Sequence, residues 1–507
     1  MNNRVLWLAA AALALTSSSR VSGAGSCERL LTQHLDSAVI TAAETVAAGA
    51  SPFYVSRAFC RVQIAIKPTS DSDIKAEVWL PVDGWNGKFE AVGNSDAGGE
   101  LSYDDMAAAL ERGFATSSTD TGHVGNSMAF ALGHREKYVD FGYRAVHEMT
   151  VKAKAIIASY YDAPLVESYW NGCSQGGRQG ITEAERFPSD YDGIIAGAPA
   201  IEDMRLHATR LGLNVFVHRS RDSYIPPEKY ALLHRAAVAA CDVSDGIKDG
   251  LITDPTRCHF DPRSLECKNG DAPSCLTAAQ VTTARGIYAL LEPGSELGWS
   301  RLAGPEPLRN AVEPFQFVVF NDPKWDWRTF RPSSDLSRAL VADAGVIDYT
   351  NPDLRAFFAR GGKLLMYHGW ADPQIPVADT IEYFNNVLKT TGASARGTSI
   401  QLYMLPGVNH CAGGEGPDRF DAVAALDRWI ATGHAPDRIV AEKKTNAAVV
   451  RTLPLCPYPQ RAIYGGRGSI DRAENFACAV DEAATPSSTS SPRSPRSAGS
   501  RDGRRIP

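Results

Sequence analysis

Between positions 74 and 120 short apolar runs alternate with turn residues. Residues 76–80, 88–92 and 114–118 read as strands, each bounded by Gly, Pro or Asp. Further on, from 143 to 161, the apolar positions shift to helical spacing. Val146, Met149, Ala153, Ile156, Ile157 and Tyr160 form one stripe of a helix. A strand at 167–170 runs into a sharp turn and a helix that extends through Glu185. Residues 191–198, 363–367 and 400–404 read as three later buried strands. Strands alternating with helices imply a mostly parallel sheet covered on both faces, an α/β fold. The stretch 201–344 breaks the alternation: it holds four cysteines, several turns and many aromatics, and reads as an inserted lid domain.

Both ends differ from this body. Arg4 precedes an apolar run from Val5 to Leu15, followed by small residues up to Ala24 and Gly25. That run is too short to span a bilayer and reads as a secretory signal over 1–25. Cys27 raises lipidation as an alternative, but the leucine usual three residues before a lipidated cysteine is missing. The tail 485–507 is rich in Ser, Pro and Arg and reads as disordered. The expected order is therefore a first core part over 26–200, the lid over 201–344 and a second core part over 345–484.

Of the 507 residues, 44% are hydrophobic and 22% charged, which suits a large globular core. A net charge of -6 gives no reason to expect nucleic-acid or membrane binding, and points to small or neutral partners. Ten cysteines in an exported chain imply an oxidised set, consistent with a secreted or periplasmic location. Many pairings are possible. Local spacing suggests Cys241 with Cys258, Cys267 with Cys275 and Cys456 with Cys478, leaving Cys27 with Cys60 and Cys173 with Cys411. No CxxC pair begins a zinc site, and no Asn-x-Ser/Thr sequon is present.

The chemistry concentrates at two pairs. Cys173-Ser174 lies inside Gly172-Cys173-Ser174-Gln175-Gly176, a GxSxG turn between strand and helix, and His410-Cys411 follows the last predicted strand. A serine hydroxyl needs a base to take its proton and a carboxylate to orient that base. Asp372, just past the strand at 363–367, and His410 supply them in the chain order nucleophile, acid, base. If Ser174 and His410 touch, their neighbours Cys173 and Cys411 come close enough for a disulfide clamp. A lone GxSxG arises by chance in a glycine-rich chain, and Gly125-Asn126-Ser127-Met128 is a near match; the ordered acid, base and cysteines favour Ser174. His368 is a competing base, more simply read as a structural hydrogen-bonding residue, and His123 is a candidate pocket residue. For the oxyanion, the Gln175 amide is the first donor and the loop Gly93–Gly99 the source of a second, unless that loop is a plain glycine turn.

These residues resemble the tannase and feruloyl esterase family of α/β-hydrolases, to which a bacterial mono(2-hydroxyethyl) terephthalate hydrolase is also similar. The family's CS-D-HC arrangement is matched by Cys173-Ser174, Asp372 and His410-Cys411, with the two cysteines bonded in the family. Likeness extends from about Cys27 to Cys478 and includes the segments 367–372 and 321–327. The chain departs where the family often carries two glycines, having Ser95-Asp96 instead, so Ser95 takes the place of the second donor. The resemblance also implies a structural calcium ion in the lid. It directs attention to Asp242, Asp245 and Asp249 with the carbonyls of Ile247 and Leu251, a run otherwise read as an acidic surface turn. The expected activity is a secreted serine carboxylesterase on small or polysaccharide-linked esters of hydroxycinnamic acids. Gallate esters and a terephthalate monoester are the alternatives within the enzyme class, and a noncatalytic binding protein is the alternative outside it. Phe315, Phe317, Trp325 and Trp327 could pack an aromatic acyl group, or form the lid's own core.

Overall fold

The computed structural model describes residues 26–480; the expected signal segment and the tail from 485 lie outside them. Nine strands form one sheet: β1 (Ala38–Val46), β2 (Phe59–Ile66), β3 (Ile74–Pro81), β4 (Lys88–Val92), β5 (Ala115–Thr119), β6 (Glu167–Cys173), β7 (Gly193–Gly197), β8 (Lys363–Gly369) and β9 (Ile400–Leu405). Their order is β1-β2-β3-β5-β4-β6-β7-β8-β9. The pairs from β1 through β3 to β5 are antiparallel, and every pair from β5 through β4 to β9 is parallel.

The parallel strands are buried on both faces, and their side chains divide between two cores with the period of two that a pleated strand imposes. Trp170, Ile194, Leu364, Leu402 and Met404 join one core with Ile156, Ile157, Ile181 and Phe384, which come from the helices Ala145–Tyr161, Gln175–Arg186 and Val377–Thr391. Tyr169, Ile195, Leu365, Tyr403 and Leu405 join the other with Ala109, Leu426 and Trp429, from the helices Tyr103–Glu111 and Ala422–Thr432. The runs that read as uninterrupted apolar strands are thus strands with helices above and below.

Two strands precede those expected from sequence. β2 alternates well, with Cys60, Val62, Ile64 and Ile66 buried; β1 is carried largely by three alanines and two threonines, with Ile40 and Ala43 its buried members. Between β7 and β8 the chain is mostly helical, with helices at Asp203–Val217, Pro227–Cys241, Ala278–Tyr288, Glu296–Leu302 and Pro332–Asp343. Val217, Tyr230, Leu233, Ile287 and Trp299 give this segment a core of its own. After β9, two small hairpins follow, Ile439–Thr445 with Ala448–Leu455 and Arg461–Tyr464 with Phe476–Ala479. The five disulfides join the three pairs expected from local spacing and the two pairs that these leave, with no free cysteine among the described residues. Among the described residues no helix is long and apolar enough to cross a membrane.

Glu185, on the helix Gln175–Arg186, ties that helix to its surroundings by accepting from the Asn351 amide (3.0 Å) and the Tyr383 hydroxyl (2.9 Å). Burial pushes its carboxyl up to about 8, against 4.5 ordinarily. The unfolded chain releases this proton near 4.5 while the folded chain holds it, so folding loses stability as pH rises from about 4.5 to about 8. Glu185→Gln mimics the protonated form and is expected to raise Tm at pH 8, by the equivalent of at least about 1 kcal/mol, with little effect near pH 4.5. Equal changes at both pH values would contradict this.

Candidate active site

Ser174 occupies the turn between β6 and the helix Gln175–Arg186 with φ at 63°, a conformation costly for a residue with a side chain. The turn is held by its backbone: the Ser174 amide donates to the Gly197 carbonyl (2.9 Å), and the Ser174 carbonyl accepts from Arg178 (3.0 Å) and Ala200 (3.2 Å). The flanking glycines are steric necessities. A Cβ on Gly172 would sit 2.5 Å from the Gly176 carbonyl, and one on Gly93 would sit 2.5 Å from the Gly176 Cα. The loop after β4 therefore packs directly on the serine turn.

His410 Nε2 lies 2.8 Å from Ser174 Oγ, and His410 Nδ1 lies 2.7 Å from Asp372 Oδ2. Asp372 is buried, and its other oxygen accepts from the amides of Gln374 (2.7 Å) and Ile375 (3.1 Å). His368 turns out to be a partner of the acid. Its Nε2 sits 3.0 Å from the same Oδ2, and its Nδ1 lies 2.8 Å from the Thr380 hydroxyl. Burial alone would raise the Asp372 carboxyl; the charge of His410 and hydrogen bonds from both histidines outweigh it and hold it well below the usual carboxylate range. Cys173 and Cys411 are bonded, with Cα atoms 6.0 Å apart, and join points 238 positions apart in sequence.

These groups open on a cavity of about 1260 Å³ bordered by Gln175, Ser95, Met128, Phe141, Leu206 and Ile375 among others. In the loop after β4, the amides of Gly93, Asn94, Ala97 and Gly98 bond to Asn171, Gln179, Asn126 and Ser95 respectively. Ser95 and Asp96, between these braced positions, border the cavity. Asn94 was not singled out from sequence, yet it braces the loop: its side chain donates to Gly98, Glu100 and Thr119 carbonyls and accepts from Gln179.

Other candidates fall elsewhere. Ser127, of the near match, caps a short helix by accepting from the Ala129 amide. His123 is buried against Phe130 with ring centroids 3.8 Å apart, and burial lowers it to about 4, so it stays neutral; it does not border the cavity. Phe315, Phe317, Trp325 and Trp327 pack with Phe320 and Phe330 in a separate cluster and do not border the cavity either. Three residues of that cluster, Ala97, Met128 and Phe141, do.

At the acidic run, Asp242 accepts from the amides of Asp249 (2.9 Å) and Gly250 (3.0 Å), and Asp245 from that of Ile247 (3.1 Å). Burial and the neighbouring Asp245 and Asp242 push the Asp249 carboxyl up to about 6, although the Leu251 amide and Arg451 oppose this. Mutually repelling carboxylates in a curled loop offer the all-oxygen donor chemistry that a hard divalent cation takes. The three do not converge as tightly as His147, Glu183 and Asp190, whose ligand atoms lie within 4.8 Å of one another. There, the Lys154 ammonium donates to the Asp190 carbonyl and supplies positive charge already.

A serine on a strained turn, a histidine in line with it and a buried acid, all at the ends of parallel strands, are how an α/β-hydrolase is built to attack a carbonyl. The chain belongs to the tannase and feruloyl esterase family, whose match covers residues 60–298 and 294–479, and it is a carboxylic ester hydrolase. It is 34% identical to an uncharacterised esterase of Xanthomonas campestris pv. campestris over 93% of both chains. It is 32% identical to a probable feruloyl esterase B-1 of Aspergillus oryzae, covering 84% of this chain and 85% of that one. The crystal structure of feruloyl esterase B from Aspergillus oryzae superposes with a TM-score of 0.85 at 31% identity, covering 89% of this chain and 99% of that one.

The clamp can be tested by its order of loss. Mild reduction of Cys173–Cys411, or Cys173→Ala with Cys411→Ala, is expected to lower ester turnover at least about tenfold while circular dichroism still reports folded protein, because geometry within about 0.5 Å is what the triad requires. Turnover unchanged with both thiols shown free would refute the role.

Proposed function

We propose that this chain is a serine carboxylesterase acting on esters of hydroxycinnamic acids, with Ser174 as nucleophile, His410 as base and Asp372 as the acid that orients His410. The observation carrying this is the unbroken hydrogen-bonded run from Ser174 Oγ through His410 to Asp372, open to one cavity. Ser174 Oγ attacks the ester carbonyl as its proton passes to His410 Nε2. His410 then returns that proton to the departing alcohol, and water, activated by the same imidazole, releases the acid. The Gln175 amide at the helix N-terminus and the Ser95 amide hold the oxyanion, each donor contributing roughly 3–4 kcal/mol. Met128, Phe141, Leu206 and Ile375 supply apolar surface for an aromatic acyl group.

The feruloyl preference is supported by relatives that cover most of this chain, the probable feruloyl esterase B-1 and the feruloyl esterase B of Aspergillus oryzae. The disulfides and those same relatives support an extracellular location, with cleavage of the N-terminal segment on export. Free acid released from methyl ferulate, methyl gallate and a terephthalate monoester is the decisive measurement. Methyl ferulate is expected to turn over fastest, and Ser174→Ala to lose at least about 10⁴-fold. Equal activity in that variant would overturn the mechanism; a faster gallate or terephthalate reaction would overturn the substrate.

In this reading the loop of Asp242, Asp245 and Asp249, with the Ile247 and Leu251 carbonyls, holds a structural calcium ion and does not border the catalytic cavity. Removing calcium with a chelator is expected to lower Tm by several degrees, with recovery on calcium but not on magnesium, which demands a rigid octahedron of ligands. An Asp242→Asn variant with an unchanged chelator response would remove calcium from this loop.

A further inference from the structure

The face of the helix Asp203–Val217 that borders the cavity carries Asp203, Leu206, His207 and Arg210, at the i, i+3, i+4, i+7 spacing of one helical side. Arg210 is buried and makes no ion pair among the described residues, and its Nε has no partner. A guanidinium in that state is expensive to hold. Its one hydrogen bond runs from Nη2 to the Gln374 carbonyl, at 3.0 Å. That carbonyl and the Ile375 N–H belong to the same peptide group, and the Ile375 N–H donates to Asp372 Oδ1 at 3.1 Å. The guanidinium, one amide and the buried acid therefore form a single polarised chain, and hydrogen bonds in such chains strengthen one another.

We infer that Arg210 is a positioning residue for the Ser174–His410–Asp372 system: through the 374–375 peptide it fixes the acid, and so links the seating of the helical segment between β7 and β8 to catalysis. This rests on the ester-hydrolase reading above. The route from Arg210 ends on Asp372 Oδ1 while His368 bonds Oδ2, so the acid is gripped from both the sheet and the inserted segment. The other charged groups around this peptide are few. Asp203 on the same helix is compensated by His207 at 3.2 Å, Asp96 in the loop after β4 accepts from Asn126 (2.8 Å) and Asn310 (2.6 Å), Arg301 approaches from the helix Glu296–Leu302, and His368 stands on β8.

The test compares wild type, Arg210→Met, Arg210→Gln and Arg210→Lys in two assays over a pH series: ester turnover, and the rate at which an alkyl fluorophosphonate labels the serine. Labelling needs no knowledge of the natural substrate. The methionine variant is expected to lose about tenfold or more in kcat with KM little changed. Removing a cation whose charge reaches Asp372 leaves the acid's negative charge less offset and so favours protonation of the imidazole it holds; the acid limb of kcat/KM and of labelling should move to higher pH. Lysine keeps the charge and should restore the limb while recovering only part of kcat. If the methionine variant does not fold, glutamine, which still donates but is uncharged, should show the same shift. Wild-type kcat and an unmoved limb in the uncharged variants, or a change confined to KM, would overturn the inference. Absence of labelling in wild type would instead fail the hydrolase reading itself.

Discussion

A carboxylate with no exposed surface that nevertheless stays ionised is the constraint around which this molecule is arranged. Asp372 accepts from two imidazoles and two backbone amides, and without them burial would neutralise it. An uncharged acid would neither fix His410 in the tautomer that leaves Nε2 free to take the serine proton nor stabilise the imidazolium that results. The supports come from separate parts of the chain: His368 ends β8, the amides belong to the loop beyond it, and His410 follows β9. The sheet exists, in functional terms, to bring these strand ends together.

The same economy explains the glycines. Gly172 and Gly176 are usually read as marks of a serine turn, but their neighbour Gly93 shows what the absence of side chains allows: the loop after β4 lies in backbone contact with the nucleophile turn. A donor from that loop is useful only at this separation. In this loop Asp96 takes φ 50°, a conformation that favours glycine, and is held by Asn126 and Asn310 through its carboxylate. The conformational freedom of glycine is replaced here by side-chain hydrogen bonds to a neighbouring loop and to the inserted segment.

How much of this is legible in sequence depends on whether the signal is local. The parallel strands announce themselves as apolar runs because both faces are covered, and the serine turn, acid and base lie in order just past them. β1 gives little warning, since Ala, Thr and Glu occupy most of it and its partner lies across a turn. The segment between β7 and β8 is mostly helical, but its helices are short or weakly amphipathic around a separate core, so composition showed only that the alternation stops there. His368 illustrates a different limit. Its place four residues before Asp372 is visible, but whether it competes for the serine or grips the acid depends on which way a strand end faces.

The inserted segment is more than a cover on this view. Its aromatic residues Phe315, Trp325 and Phe330 are spent on holding the segment together, and the cavity wall it provides comes instead from one side of the helix Asp203–Val217, with Arg301 and Asn310 beside it. That helix begins only six residues after β7 ends, and the Ala200 amide between them donates to the Ser174 carbonyl. The helix is thereby anchored at its start to the nucleophile turn and two turns later, through Arg210, to the loop of the acid. A displacement of this helix cannot alter the shape of the acyl pocket without also disturbing the groups that do the chemistry. Substrate fit and catalytic alignment are thus mechanically joined, which turns an insertion between two strands into part of the catalytic framework.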